Sequence, residues 1–211
     1  MIAISRSAPE VADAAAPPAR LRIVAGARRY FFANGFRRAT MADLAEELGM
    51  SKKTLYVHFP SKAALLAAVM QHKFAEVEAD LDDATRECPA DFMRTLPRLL
   101  ACMQRHTDEI QPAFVRDVRR EAPALFQMAE QRRALLLQRY FGRLFVAGRR
   151  VGLIRKDLPV KWIIEILLGA TREFVNPSKL AELGLTVREG FSAVVSVILS
   201  GVLTDKGKEL L

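Results

Sequence analysis

Apolar residues in this chain recur at steps of three and four almost from end to end. The sharpest case is the last apolar segment. Phe191, Val194, Val195, Ile198, Leu199 and Val202 advance by 3, 1, 3, 1 and 3, so they share one helical face although most of them are β-branched. A strand would need alternation with a period of two, and neither that pattern nor a hairpin turn signal occurs. The sequence predicts an all-α fold.

Composition narrows the class. With 211 residues, 51% of them apolar, the chain has ample material for a buried core and too much for a disordered polymer. Cys88 and Cys102 are too few for a disulfide scaffold and suit a reducing compartment as free thiols, so a cytoplasmic protein is expected. The longest apolar stretch, Phe191 to Leu203, is interrupted by Ser192, Ser196 and Ser200 and falls short of the ~20 residues of a membrane span. The N-terminus lacks the basic flank and unbroken apolar run of an export signal. No membrane partner is expected.

Residues 1–19 are rich in alanine, hold three prolines and show little periodicity, so they read as a disordered arm with Pro17 and Pro18 at the start of the first helix. Leu21, Val24, Ala25, Arg28, Phe31 and Phe32 then form a helical stripe, stopped at Gly35, with Phe36 folding back. Thr40 caps a short second helix with Asp43 completing a capping box, and Gly49 interrupts it. Ser51 starts a third helix through Phe59, and Pro60-Ser61 a fourth to about Leu81. Farther on, the pattern predicts a helix over roughly 90–107, with Leu96, Leu99, Leu100 and Met103 inward and a bend at Pro97, and a shorter one after Pro112. The proline-free interval from Pro123 to Pro159 accommodates a helix of about 28 residues, ~42 Å long. Two apolar helices close the chain, the first carrying Trp162, Ile163, Ile166, Leu167, Ala170 and Phe174.

Charge is unevenly spread. The net is +8, but residues 20–62 carry +6, residues 76–115 carry −5 and residues 116–156 carry +8. A basic balance suggests a polyanionic partner, yet two separate stretches offer it.

The segment TMADLAEELGMSKKTLYVHFPSK, Thr40 to Lys62, resolves that choice. Two helices that cross closely at a tight turn need a small residue at the crossing, here Ala45, and a residue tolerant of positive φ in the turn, here Gly49. The second helix needs a buried anchor, and Leu55 supplies it, with Leu44, Leu48 and Met50 completing the small core. These positions agree with a DNA-binding helix-turn-helix whose second helix enters the major groove. Ser51, Lys52, Lys53 and Thr54 in its first turn, with Tyr56 and His58 beyond, present the hydroxyl, ammonium and ring groups that reach base edges and phosphates. The helix starts at Thr40 and at Ser61-Lys62 add backbone N–H groups that favour phosphate. The bland alternatives are a packed Tyr56, a capping His58, a solvated Lys62 and solvated Arg37 and Arg38.

From Arg20 through Leu66 the chain resembles the N-terminal domain of the tetracycline-repressor (TetR) family of bacterial transcription regulators. The shared elements are I-V-A-G-A…F-F-A-N-G-F, T-M-A-D-L-A, G-M-S-K and T-L-Y-V-H-F-P-S-K, in order and without gaps. The resemblance implies phosphate contacts from Thr40, Tyr56, His58 and Lys62, and base contacts from Lys52, Lys53 and Thr54, with Ser51 at the helix start. Lys53 stands where a small residue is common, and Ala63 replaces an acidic residue often found after the lysine.

The same resemblance divides the chain into the arm at 1–19, a helix-turn-helix domain at 20–66, and an effector-binding and dimerisation domain at 67–211. It implies a homodimer on double-stranded operator DNA, because one helix-turn-helix reads few base pairs and two must lie about 34–36 Å apart. Trp162, Ile166, Phe174, Phe191, Val195, Ile198 and Val202 are the expected interface. Leu100, Met103, Phe114, Leu135 and Arg139 are the expected lining of a pocket for a small-molecule effector, with Met128 and His106 as further candidates. An effector preferring a conformation with misplaced recognition helices would release DNA by linkage, with the fourth helix as the lever.

Arg132, Arg139, Arg143 and Arg150 fall at steps of 7, 4 and 7 on one helix side, either as a site for an anion or second nucleic acid, or as a solvated face balanced by the acidic residues from Glu76 to Asp91. Against an enzyme stand three histidines, His58, His72 and His106, without H-E-x-x-H spacing, no C-x-x-C pair, no phosphate loop and no nucleophile elbow. No metal or cofactor is expected. An effector-independent architectural DNA-binding protein, or an activator, remains the alternative to a repressor.

Overall fold

In the computed structural model, which describes residues 18–87, 91–174 and 177–209, the chain forms α1 (Pro18–Asn34), α2 (Met41–Glu47), α3 (Lys52–His58), α4 (Lys62–Arg86), α5 (Phe92–Asp108), α6 (Pro112–Glu121), α7 (Pro123–Arg150), α8 (Val160–Phe174), α9 (Pro177–Leu183), α10 (Val187–Val202) and α11 (Asp205–Lys208). The described residues hold no strand, only one isolated bridge between Ile154 and Leu203. Most of the expected arm and Cys88 lie outside the described residues. Cys102 is a buried free thiol.

Capping residues fix where most helices begin. Thr40 and Asp43 form a reciprocal capping box at α2, and Thr186 with Glu189 repeats it at α10. Ser51, Ser61 and Asp91 each accept a hydrogen bond from the backbone N–H three residues on. Each such cap is worth about 1 kcal/mol. Proline starts α6 and α7, where its missing N–H costs nothing. The long helix expected after Pro123 is α7, 28 residues. The fourth helix runs beyond the expected Leu81 to Arg86, since nothing from 82 to 86 breaks it.

Two hydrophobic cores share α4. The first joins Ile23, Ala27, Phe31, Leu44, Ala45, Leu55, Phe59, Leu65, Leu66 and Val69 with Phe114 and Val118 of α6. The second gathers Val77 and Leu81 of α4 with α5, α7, α8 and α10. The changeover therefore falls within α4 between Met70 and Val77, later than residue 66, and the helix crosses it unbroken. Phe114 is accordingly not a pocket residue. Its ring packs 4.8 Å from that of Phe32, which seats the three-helix unit on α6.

Candidate nucleic-acid interface

The small N-terminal domain holds α3 outward. Gly49, at φ 62°, lets the chain reverse after α2, and Met50 N donates back to Ala45 O at 2.9 Å. Ala45 and Leu55 are buried at the crossing. With Leu55 facing inward, the rest of α3 turns to solvent. Lys52, Lys53 and Thr54 are exposed, Tyr56 is 44% exposed and Val57 76%. His58 is half-buried in the last turn. Ser51 Oγ accepts from Thr54 N at 3.0 Å and lies 2.8 Å from Thr54 Oγ1. Thr40 Oγ1 accepts from Asp43 N, and Thr40 itself is exposed. Neither Lys52 nor Lys53 has an ion-pair partner among the described residues.

Lys62 departs from expectation. Its ammonium points into the domain, donating to the carbonyl oxygens of Ala39 at 2.8 Å, Phe36 at 3.0 Å and Arg37 at 3.4 Å. It also lies 4.3 Å from the centre of the Phe36 ring. Burial lowers its pKa, against the raising effect of Glu121 and Asp117. Its three N–H bonds are spent on the loop between α1 and α2, so it is a fastener for that loop. The cause is the loop itself: Gly35, at φ 80°, turns the chain so that three carbonyls converge on the start of α4. Arg37 is tied to α6, its backbone N–H donating to Asp117 Oδ2 at 2.9 Å and its guanidinium 3.9 Å from Glu121. Arg38 is exposed beside Thr40 without an ion-pair partner among the described residues.

Val57 is the outward residue that reasoning from polar groups passes over. Its position one residue beyond Tyr56 was the available signal.

The larger domain encloses an apolar cavity between α5, α7, α8 and α10. Leu96, Leu100, Met103, Phe141, Phe191 and Ile198 are among its walls, with Arg133 and Thr171 as its polar members. The free volume is about 20 Å³, enough for one water. Leu100 and Met103 line this cavity. Leu135 does not, being 58% exposed on the far side of α7, and Arg139 lies on the surface paired to Glu78. Arg133 Nη1 donates to Thr171 Oγ1 at 2.8 Å while its other nitrogens bind Glu130.

The expected interface residues also divide. Trp162 (64% exposed), Ile166 and Phe174 stand out from α8. Phe191, Val195 and Val202 are buried within the monomer, and Ile198 lines the cavity. α10 is apolar on both sides, so periodicity alone does not say which side meets its own chain. Its solvent side carries Val197, 74% exposed.

The fold and the α2–turn–α3 unit are those of a helix-turn-helix regulator. Residues 23–69 match the family described as bacterial regulatory proteins, tetR family, so this N-terminal segment belongs to that family's DNA-binding domain. The transcriptional regulator EthR of Mycolicibacterium smegmatis is 33% identical over 76 residues, 36% of this chain and 35% of that protein. UidR of Escherichia coli K12 is 44% identical over 55 residues, 26% of this chain and 28% of that protein. These alignments thus span about a third of the curated relatives' length. The ketosteroid transcriptional regulator KstR2 of Mycobacterium tuberculosis shares the fold over 93% of this chain and 100% of its own, at 18% identity and a TM-score of 0.59. The fatty acid degradation regulator FadR of Bacillus halodurans does so over 88% and 96%, at 17% identity and 0.66. No helix of the described residues is long and apolar enough to cross a membrane.

Proposed function

We propose that this protein is a dimeric, sequence-specific DNA-binding repressor that a small apolar molecule releases from its operator. The observation that carries the reading is the outward face of α3, where Lys52, Lys53, Thr54 and Tyr56 stand exposed around a fully buried Leu55. In this reading Lys52, Lys53 and Thr54 address base edges, while Thr40, Ser51, Tyr56 and His58 hold phosphates. Lys62 acts indirectly, by holding the loop that presents Thr40.

Dimerisation follows from the exposed apolar face of α8 and α10. Trp162, Ile166 and Phe174 on α8 and Val197 on α10 are large apolar residues left exposed, and exposed apolar surface of this kind marks interaction sites. A two-fold pair there carries two α3 helices, as the reading of two half-sites requires.

Release follows from the cavity. Its walls are closed to about 20 Å³, so any larger ligand must part α5, α7, α8 and α10. Glu109 caps the end of α5 and pairs with Arg28 of α1 and Lys73 of α4. Displacing α5 therefore pulls on the helices that carry the DNA-binding unit, and DNA opposes the ligand by the same factor.

The test uses duplexes selected by the protein from random sequence. Replacing Lys52 with Gln, Thr54 with Ala and Tyr56 with Ala together is expected to weaken selective binding by about a hundredfold or more, given about 1–3 kcal/mol per lost base contact. Unchanged duplex affinity in a folded triple variant overturns the reading.

A further inference from the structure

The arginine stripe of α7 is not one surface. Glu78 pairs with both Arg132 and Arg139, and Asp82 lies 3.6 Å from Arg139, so the acidic side of α4 neutralises that half. Arg143 and Arg150, farther along, have no ion-pair partner among the described residues. Two turns apart on one helix face, they stand about 10 Å from each other along the axis.

Between them runs an open groove of about 670 Å³ where α7 meets the start of α8. Its floor is apolar, made by Gly142, Val146, Ala147, Val160 and Ile164. Lys161 adds a third cation from the facing helix, again without an ion-pair partner among the described residues, and Gln138 is a further polar member of the lining. Three like charges around an apolar trough repel one another until an anion joins them.

We propose that this groove binds a small anionic amphiphile, a molecule with a hydrocarbon chain on the Val146–Ile164 floor and a carboxylate or phosphate head held by Arg143, Arg150 and Lys161. Charge selects the sign of the ligand, and the apolar floor selects the chain. Size selects a small molecule over a protein: the groove has the volume of a ligand site, whereas stable protein interfaces bury about 1,200–2,000 Å². The site is distinct from the enclosed cavity, whose polar members are Arg133, already neutralised by Glu130, and Thr171. The ligand is taken up free in solution, not as part of a bilayer.

Calorimetric titration with decyl phosphate and decanoate, below their aggregation limits, tests the proposal. Binding is expected for both and not for decanol. Arg143→Gln with Arg150→Gln should weaken it about tenfold or more, as loss of charge-assisted hydrogen bonds requires. Gly142→Leu fills the floor from a position where an added Cβ meets nothing within 4 Å, so it should abolish binding while the protein stays folded. Equal binding of decanol, or full binding by either variant, overturns the proposal. So does absence of binding by both anions, as when a second copy of the chain covers the groove. Cosedimentation with phosphatidylglycerol vesicles, lost in the double arginine variant and unaccompanied by binding of the soluble anions, overturns it in favour of a membrane.

Discussion

Lys73 Nζ lies 2.7 Å from His106 Nδ1, and both side chains are buried where α4 meets α5. The contact decides the tautomer. An ammonium only donates, so Nδ1 accepts and the neutral ring carries its hydrogen on Nε2, which donates to Asp80 Oδ2 at 2.9 Å. Lys73 also donates to Glu109 Oε2 at 2.7 Å, and Arg28 bridges Glu109 and Glu76. Positive and negative groups thus alternate from α1 through α4 to α5. This chain of charges lies next to the changeover between the two cores, where any movement of the larger domain reaches the smaller one.

That network makes stability fall in mild acid. Burial lowers the pKa of His106, the charge of Lys73 lowers it further, and Asp80 and Glu109 only partly oppose them. The unfolded chain takes up the histidine proton near pH 6.5 and the folded chain only at lower pH, so stability is lost as pH falls below about 6.5. Burial pushes Glu109 up, but hydrogen bonds from Lys73 and Arg28 outweigh it and hold the carboxyl below its usual range, so its contribution disappears only in stronger acid. Calorimetry should show a falling Tm from pH 7 to 5. His106→Gln should be less stable at pH 7, with a flatter profile over that interval; an unchanged profile contradicts the assignment.

Lys52 and Lys62 should separate in their salt dependence. If Lys52 meets DNA, Lys52→Gln lowers the slope of log affinity against log salt by about 1. Lys62→Gln should leave that slope alone, because its ammonium is already spent on the carbonyls of Phe36, Arg37 and Ala39. It should instead lower Tm by a few degrees, at about 2–4 °C per kcal/mol for a chain of this size. Equal slope changes in the two variants would return Lys62 to the phosphates.

Local signals carried most of the fold. Thr40, Ser51 and Ser61 cap the helices they were expected to cap, and Gly35 and Gly49 turn where a positive φ is needed. These are decisions made within a few residues. What periodicity did not resolve is which of two apolar surfaces meets which neighbour. Val195 and Val197 are both apolar on α10, yet one is buried and the other exposed, because α5 and α8 occupy only one side. Phe114 was misplaced for the same reason, since α6 packs under the small domain across a long sequence separation. Lys62 turned inward because three carbonyls from a distant loop converge on it, and no spacing within its own segment announces them.

Two glycines of α7 should respond to alanine with opposite signs. A Cβ on Gly148 would lie 2.7 Å from Phe92 and 2.8 Å from Ile154, both core residues with no room to move. Gly148→Ala should cost about 1–3 kcal/mol or more by overpacking. A Cβ on Gly142 meets nothing, so Gly142→Ala should gain about 0.5–1 kcal/mol from helix propensity alone. Denaturant unfolding of both variants checks the pair, and a destabilised Gly142→Ala would mean that the α7 surface is covered.

Val197 offers the cleanest test of dimerisation. Val195 and Phe191 are unsuitable, because a charge there enters the monomer core and unfolds it. Val197 is exposed on the same helix, and Ile166 is exposed on α8, so aspartate at either position leaves the monomer's own packing intact. In a dimer formed by α8 and α10, an aspartate at either position is buried against apolar surface without a partner, which costs several kcal/mol. Ile166→Asp with Val197→Asp should therefore sediment as a folded monomer at concentrations where the parent is dimeric. Its affinity for a two-half-site duplex should drop to that of a single half-site. A double variant that remains dimeric places the interface elsewhere on the chain.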